Sequence, residues 1–268
     1  MPELPEVEFA ANRLRQWMLG RLVVRAKAEP TRLLRGMPPG RFAQALSGRR
    51  LEGVERRGKY LLLFFDQNAG LLAHLGMTGK LVRRPTGTAE PYSHARFELD
   101  DGFTVHFRDP RKFGRLSIER ADRLYSLPEI AALGPDALLE PPTAESLGRR
   151  LSRTARPVKV ALMDQSVIAG LGNIHATEAL FRAQIDPRLR ADRLTEEQRH
   201  RLAQAIGETI ALGLAANEEE EITYVEEGAP NPFLVYGKAG EACPRCGHRL
   251  ASMTQGGRTT HFCPHCQR

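Results

Sequence analysis

The sequence lacks the features that place a protein in or across a membrane. Its 268 residues contain no apolar run of about 18 residues, the length that a membrane-spanning helix needs. The opening residues, MPELPEVEF, have neither the basic nor the apolar region of a signal peptide. Cysteine is missing from the first 242 residues, and four cysteines confined to the last 26 are not the pattern of a disulfide framework. We therefore expect a protein of the reducing cytoplasm.

Lysine is also scarce, although the chain is basic. Lys and Arg together number 39 against 32 acidic residues, for a net charge of +7, and only six of the 39 are lysine. Arginine presents a planar fork of donors that suits phosphate oxygens and base edges. A GC-rich genome produces the same bias, so composition leaves both explanations open.

The N-terminal half predicts one helix followed by strands. Apolar residues at 3-4-3-4 spacing predict a helix from Leu4 to Met18 that stops at Gly20. From Arg21 to about Glu119 the pattern becomes that of strands. Apolar runs at 60–65 and 71–75 predict a hairpin with its turn between them, and Asp101-Gly102 is a strong two-residue turn signal. We expect a mainly antiparallel β sandwich or barrel with a single leading helix.

The C-terminal half predicts helices and then a small cysteine-bearing segment. The expected helices are one capped by Thr143 and ending near Ser152, one over 159–166, one from Asn173 to about Ala183, and one opened by a capping box at Thr195 and ending near Ala215. The glutamate-rich stretch 218–227 predicts an exposed loop. The fold class is therefore α+β, with domains at 1–125, 126–236 and 237–268.

The four cysteines have the spacing of a structural zinc site. Two CxxC pairs separated by 16 residues each make a tight turn that presents two thiolates, and a hairpin joins the turns into one tetrahedron, formed by Cys243, Cys246, Cys263 and Cys266. Two unrelated redox CxxC pairs are the alternative. A four-thiolate zinc keeps no open position, so we expect one structural Zn²⁺ per chain. Arg258 falls near the tip of the hairpin, as a solvated residue or as one that enters a nucleic-acid groove.

The N-terminus offers a nucleophile. Removal of Met1 would expose the secondary amine of Pro2, and an α-amino group with a pKa of about 7.7–8.0 is partly neutral at neutral pH. A neutral secondary amine attacks an electrophilic carbon to give an iminium ion, and the neighbouring Glu3 can exchange protons with a sugar oxygen. Pro and Glu are also favoured residues in the first turn of a helix, and that structural explanation stays open at this point.

Seven motifs in order extend these signals over nearly the whole chain. They are PELPEVE after Met1, RGKY from Arg57, HLGMTG from His74, DPRKFG from Asp109, Asp164-Gln165, AGLGNI from Ala169, and the cysteine segment. Together they resemble the bacterial formamidopyrimidine-DNA glycosylases. The resemblance implies a β sandwich with a leading helix, a helix–two-turn–helix lobe and a zinc hairpin, in a bacterial, nucleoid-associated enzyme that binds damaged double-stranded DNA as a monomer.

The resemblance also implies roles for individual residues. Pro2 is the expected nucleophile at C1′ of the damaged nucleotide and Glu3 the acid/base, while Lys59 and Arg258 grip phosphates around the lesion. Met77, Arg111 and Phe113 match the residues that fill the gap left by a flipped base. The remaining matches imply DNA-binding roles for His74, Lys159, Asn173 and His175. For Asn173 the residues agree, because a Gly-rich turn opening a helix favours an anion.

The expected reaction is excision of oxidised purines, such as 8-oxoguanine and formamidopyrimidines, by a bifunctional glycosylase/AP lyase of base excision repair. Pro2 displaces the base, and β- and then δ-elimination cleave the strand on both sides of the abasic sugar. The chemistry needs no redox cofactor and no catalytic metal.

Two departures from the family pattern bear on specificity. His175 stands where the family usually has tyrosine, either as a packed helix residue or as an altered, pH-sensitive phosphate contact. Four consecutive glutamates, 218–221, stand in the region that caps the lesion in the family, either as a solvated face or as a changed pocket. Two rival functions stay open: the same chemistry with the oxidised-pyrimidine preference of endonuclease VIII, or a non-catalytic, structure-specific DNA-binding protein.

Overall fold

A computed structural model describes residues 2–216 and 231–268. The expected loop at 218–227 lies outside these residues. The chain divides into two compact units with the boundary between Ala131 and Ala132, and the short helices at 121–131 pack on the first unit. The three domains expected from the sequence stay a prediction. Among the described residues, no helix is long and apolar enough to cross a membrane.

The described residues of the first unit form three helices and eight strands. Their bounds are α1 (Leu4–Met18), β1 (Leu22–Ala28), α2 (Pro39–Leu46), β2 (Arg49–Arg57), β3 (Tyr60–Phe65), β4 (Ala69–His74), β5 (Lys80–Pro85), β6 (Ser93–Leu99), β7 (Phe103–Arg108), β8 (Arg115–Arg120) and α3 (Pro128–Ala131), with 3-10 turns at Arg32–Leu34 and Ala121–Ser126. The leading helix and the hairpins at 60–74 and 93–108 are confirmed. The expectation of a single helix before residue 120 is wrong, because α2 is a short helix that buries only Phe42 and Leu46 and so gives little periodic signal.

The eight strands form an antiparallel β sandwich. Their order is β5-β7-β6-β1-β2-β3-β4-β8, and the link between its two four-stranded halves is short, with only Leu22 and Val23 of β1 paired to β2. The buried faces of both halves contribute to one apolar core, which also takes in the buried stripe of α1. Among its members are Leu14 and Met18 of α1, Leu63 of β3 and Phe107 of β7.

In the second unit, the part of the chain that the structure describes forms four helices and a two-stranded hairpin. Their bounds are α4 (Ala144–Leu151), α5 (Val158–Met163), α6 (Asn173–Arg182), α7 (Glu196–Ala215), β9 (Ala251–Gln255) and β10 (Arg258–Phe262), with a 3-10 turn at Ala191–Arg193. The capping boxes at Thr143 and Thr195 are confirmed. The helix expected to reach residue 166 ends at Met163, because the Asp164 carboxylate accepts the backbone N–H and the hydroxyl of Ser166 and begins a turn instead.

Candidate active site and DNA-binding groups

Strand register gathers three connections at one end of the β sandwich. The turn at 58–59 joins β2 to β3, loop 75–79 joins β4 to β5, and loop 109–114 joins β7 to β8. His74 is paired with both Tyr60 and Arg115, and Lys80 is paired with Arg108. The two loops therefore start and finish on paired residues and run side by side, next to the turn that carries Lys59.

The leading helix points its N-terminus at the same end. The guanidinium of Arg15 donates to the Val54 carbonyl at 3.0 Å, and the carboxylate of Glu8, nearer the start of α1, accepts from Arg56 at 2.5 Å. Residue numbers thus rise along α1 as they fall along β2, so α1 begins beside the end of β2. This places Pro2 and Glu3, both buried, at the end of the sandwich where Lys59 lies.

One buried arginine connects the helix to the Lys59 turn. Arg56 is 4% exposed, and besides its ion pair with Glu8 it donates to the Gly58 carbonyl at 3.0 Å. Gly58 has a φ of +57°, which a glycine adopts without steric cost at the first position of a tight turn. Arg56 therefore fixes the position of the Lys59 turn relative to α1.

His74 is held as a neutral imidazole with one defined tautomer. Burial, and then the positive charges of Lys59, Arg115 and Arg35, lower the pKa of His74 to about 4. Its Nδ1 accepts the backbone N–H of Gly76 at 3.0 Å, so the ring proton is on Nε2. His74 therefore offers a single uncharged N–H donor at neutral pH.

Loops 75–79 and 109–114 are locked together by Asp109, which is fully buried. One carboxylate oxygen accepts the Thr78 hydroxyl at 2.6 Å, and the other accepts the Gly114 N–H at 2.7 Å. The backbones also touch, since a Cβ at Gly76 would lie 2.4 Å from the carbonyl carbon of Phe113. Only glycine fits that approach, and its φ of +69° is likewise a glycine conformation.

The three side chains expected to fill a base gap all lie on these two loops. Met77 is half-buried, Arg111 is exposed, and the Phe113 ring is 40% exposed. The Arg111 guanidinium lies 4.9 Å from the centre of the Phe113 ring. The Phe113 ring therefore faces solvent on loop 109–114, beside a cation.

In the second unit, Asn173 and the zinc hairpin form a connected polar cluster. Asn173 is the first residue of α6, and its side-chain N–H₂ donates to the Thr259 carbonyl at 3.1 Å. Lys159, which is completely buried, donates to the amide oxygen of Asn173, and to the Thr260 hydroxyl at 2.6 Å. The exposed Arg258 precedes Thr259, as expected for the start of β10 after a two-glycine turn. Asn173 therefore bonds to the residue that follows Arg258 in the hairpin.

Two of the expected DNA-binding residues are inside the protein. Lys159 is 0% and His175 1% exposed. The ammonium of Lys159 is engaged with α6 and β10 rather than facing solvent. Their expected DNA contacts stay predictions, and in this structure the geometry of Lys159 orients Asn173.

The two-turn segment ahead of α6 is folded around a single glutamine. The side-chain N–H₂ of Gln165 donates to the carbonyls of Met163 and Leu171 at 2.9 and 2.7 Å, and its oxygen accepts the Gly170 N–H at 3.0 Å. Gly170 has a φ of +104°, which excludes other residues. These bonds present the start of α6, where the positive end of the helix dipole favours an anion.

The four cysteines fit a zinc ion. Their sulfur atoms all lie within 4.8 Å of one another, with separations of 4.0 Å between Cys243 and Cys266 and 3.6 Å between Cys246 and Cys263. A tetrahedral Zn²⁺ with Zn–S bonds of about 2.3 Å requires sulfurs about 3.8 Å apart. Backbone N–H groups of Arg245 and Cys266 point at Cys243 and Cys263, which stabilises thiolates.

Comparison with known proteins identifies the family. Residues 1–116 match the formamidopyrimidine-DNA glycosylase N-terminal domain, residues 133–224 the H2TH domain of the same enzymes, and residues 240–268 the zinc finger found in FPG and IleRS. The chain is 40% identical over 273 residues to the formamidopyrimidine-DNA glycosylase of Desulfitobacterium hafniense, with all of both chains covered. The chain belongs to the formamidopyrimidine-DNA glycosylase family. As a member it is a base-excision DNA glycosylase, and AP lyase activity is characteristic of the family.

Solved structures agree with this assignment. The MutM (Fpg) protein of Thermus thermophilus superposes with a TM-score of 0.85 at 37% identity, covering 99% of this chain and 98% of that one. The Lactococcus lactis Fpg in complex with DNA containing N7-benzyl-Fapy-dG gives a TM-score of 0.89 at 28% identity, with both chains fully covered. The expected β sandwich, helical lobe and zinc hairpin of the formamidopyrimidine-DNA glycosylase family are confirmed.

Sequence reasoning missed two residues that hold distant segments of the chain in place. Arg32 donates to two carbonyls of loop 109–114. Glu178 of α6, only 2% exposed, accepts the backbone N–H groups of three consecutive residues, Leu234, Val235 and Tyr236, each at 2.9 Å. These partners are separated by about 56 to 80 residues in the chain, so no local spacing points to them.

Proposed function

We propose that this glycosylase excises oxidised purines from duplex DNA through a covalent Pro2 intermediate and then cleaves the strand by β,δ-elimination. The observation that carries the proposal is the convergence of the α1 start, the Lys59 turn and loops 75–79 and 109–114 at one end of the β sandwich. An amine, a carboxyl, a cation and a set of base-gap residues are what such a reaction needs in one place.

The chemistry assigns one step to each group. The Pro2 nitrogen forms a bond to C1′ as the C1′–base bond breaks. The base leaves with the electron pair, and the proton lost from the Pro2 nitrogen passes to the departing base. Glu3 supplies the proton to O4′ as the sugar ring opens, which gives the iminium ion. The iminium acidifies C2′–H, so loss of that proton expels the 3′ phosphate, and a second elimination expels the 5′ phosphate.

The polar groups supply the phosphate contacts. These groups lie on loops, turns and a helix start, where charged DNA oxygens are commonly bound. They are Lys59 beside the α1 start, His74 through its Nε2–H, and Asn173 and Arg258 in the second unit. The zinc ion holds the hairpin that carries Arg258 and supplies no chemistry to the reacting sugar. We further propose that the protein acts as a monomer in the bacterial cytoplasm, associated with the nucleoid.

Borohydride trapping tests the mechanism and the substrate together. Protein whose Met1 removal has been checked by mass spectrometry is mixed with duplexes carrying 8-oxoguanine, a formamidopyrimidine, an oxidised pyrimidine or an abasic site. We expect reduced adducts with the purine lesions, mapped to the Pro2 nitrogen. Pro2→Gly and Glu3→Gln should slow excision roughly 100-fold or more, whereas Pro30→Gly, an exposed proline, serves as the control.

The other outcomes separate the alternatives. Adducts mainly with the oxidised pyrimidine would assign the endonuclease VIII-like preference, and would direct attention to glutamates 218–221. An adduct with the abasic site alone would keep the lyase and remove the purine specificity. Tight duplex binding with no adduct on any substrate would contradict the enzymatic proposal and favour a DNA-binding protein without catalysis.

A further inference from the structure

Loop 109–114 has a conformation that its own residues do not favour. Lys112 has a φ of +56°, in the left-handed region that side chains other than glycine and asparagine avoid. Its N–H donates to the Asp109 carbonyl at 3.2 Å, which closes a turn of the loop. Both Arg111 and Phe113, on either side of Lys112, are exposed. A loop of this kind needs support from elsewhere to keep its side chains in place.

That support comes from Arg32, which grips the loop from a distant part of the sequence. Its Nε donates to the Lys112 carbonyl at 2.6 Å, and its Nη2 donates to the Arg111 carbonyl at 2.6 Å. The same guanidinium lies 4.7 Å from the centre of the Phe113 ring. One planar group thus fixes two successive carbonyls and one face of the aromatic ring, a geometry that lysine cannot reproduce.

The backbone at Arg32 is held rigidly. It begins the 3-10 turn Arg32–Leu34, in which Leu33 and Leu34 are 1% and 2% exposed and belong to the core of the β sandwich. Leu33 also lies against the end of the loop, since a Cβ at Gly114 would be 3.0 Å from its side chain. The core therefore fixes the backbone that carries Arg32, and the exposed guanidinium is held by its two bonds to the loop.

We propose that Arg32 is a positioning residue. Before DNA binds, it holds Arg111 and Phe113 in the conformation in which they enter the base gap, and these two side chains together are called the wedge. This inference rests on the proposed function, in which loop 109–114 fills the gap left by an extruded base. Inserting a preformed wedge avoids the entropy loss of ordering the loop during extrusion. Arg32 therefore accelerates extrusion of a stacked base, and it does not act on the sugar chemistry.

Two variants distinguish a positioning guanidinium from a cation that simply binds phosphate. Arg32→Gln removes both the planar guanidinium and its charge, whereas Arg32→Lys keeps the charge and removes the planar group. Arg41→Gln, at an exposed position of α2, is the matched loss of one arginine. Single-turnover cleavage is measured on an 8-oxoguanine duplex and on a single-stranded oligonucleotide with an abasic site, which has no stacked base to extrude. Hydrogen exchange of residues 109–114 is measured without DNA.

We expect both Arg32 variants to slow cleavage of the lesion duplex about tenfold, the cost of two lost charge-assisted hydrogen bonds at a partly solvated site. Single-strand abasic cleavage should change less than about twofold, and the loop amides should exchange faster in both variants but not in Arg41→Gln. Wild-type rates in Arg32→Lys, or equal slowing on both substrates, would overturn the inference. If the wild-type protein cleaves neither substrate, the proposed function itself fails.

Discussion

The two units hold their candidate DNA-binding groups by different means. In the first, exposed loops are fixed by side-chain bonds to backbone atoms, above a large apolar core. In the second, buried polar side chains also form the support, as Asp109 does in the first, with Lys159 and Thr260 at 0% and Glu178 at 2% exposure, and the difference lies in the apolar packing beneath them. The apolar cluster under the zinc hairpin is small and includes two of the cysteines themselves.

This difference determines how each unit should respond to change. A small hairpin cannot bury enough apolar surface to fold alone, so metal and buried hydrogen bonds take over that role. A large core tolerates the loss of one loop contact, and the damage then shows in function before it shows in stability. Trp17, the sole tryptophan of the chain, lies in α1 and is 7% exposed, so its fluorescence reports unfolding of the first unit.

Zinc removal should produce the largest effect, and only in the second unit. Structural zinc contributes about 10–16 kcal/mol to the folding of small zinc domains at pH 7. We therefore expect a chelator, or Cys246→Ser, to abolish hydrogen-exchange protection over 243–266 and to remove DNA binding, while the Trp17 signal stays unchanged. Ser252→Ala, an exposed change in the same hairpin, is the control. Loss of the Trp17 signal on chelation would show that the first unit also depends on zinc.

Removing the buried ammonium of Lys159 should produce the second-largest effect. Lys159→Met leaves the Asn173 amide oxygen and the Thr260 hydroxyl without their shared donor, at a cost of about 2–4 kcal/mol. We expect faster hydrogen exchange at the start of α6 and along β10, with weaker DNA binding because Asn173 is no longer oriented. Lys238→Met, a partly exposed lysine in the same unit, provides the control. Unchanged protection in Lys159→Met would show that the buried cluster does not support the site.

Acidification should destabilise the first unit by a smaller amount. The pKa of His74 is about 4 in the folded protein and about 6.5 when unfolded, so the unfolded chain binds more protons between these values. The stability contribution is fully present above pH 6.5 and is lost as the pH falls towards 4, by at most about 3 kcal/mol. We expect urea unfolding followed by Trp17 fluorescence to show this slope. In His74→Gln the free energy of unfolding should fall by up to about 3 kcal/mol less over the same pH range. An equal fall in both proteins would contradict a lowered pKa at His74.

Local patterns predicted most of the fold, and long-range contacts account for what they did not. The stripe of α1, the capping boxes at Thr143 and Thr195 and the paired cysteines each lie within a few residues, so spacing reveals them. The grip of Arg32 on loop 109–114 spans about 80 residues, and that of Lys159 on Thr260 spans 101. Nothing near either residue distinguishes it from the other cations of this arginine-rich chain. Family motifs predicted the candidate reactive groups, whereas the structure was needed to find what orients them.

The smallest expected effect tests whether burial is what matters in the second unit. Arg149 and Glu145 of α4 form an ion pair at 2.6 Å, close enough to look strong, but their side chains are 65% and 77% exposed. Exposed pairs at this spacing contribute only about 0.3–0.5 kcal/mol, because water screens the charges and both side chains lose rotamer freedom. Arg149→Gln should therefore leave hydrogen exchange of α4 almost unchanged at about 0.15 M salt. A loss comparable to that of Lys159→Met would mean that geometry alone, without burial, stabilises this unit, and the contrast between the units would then need another cause.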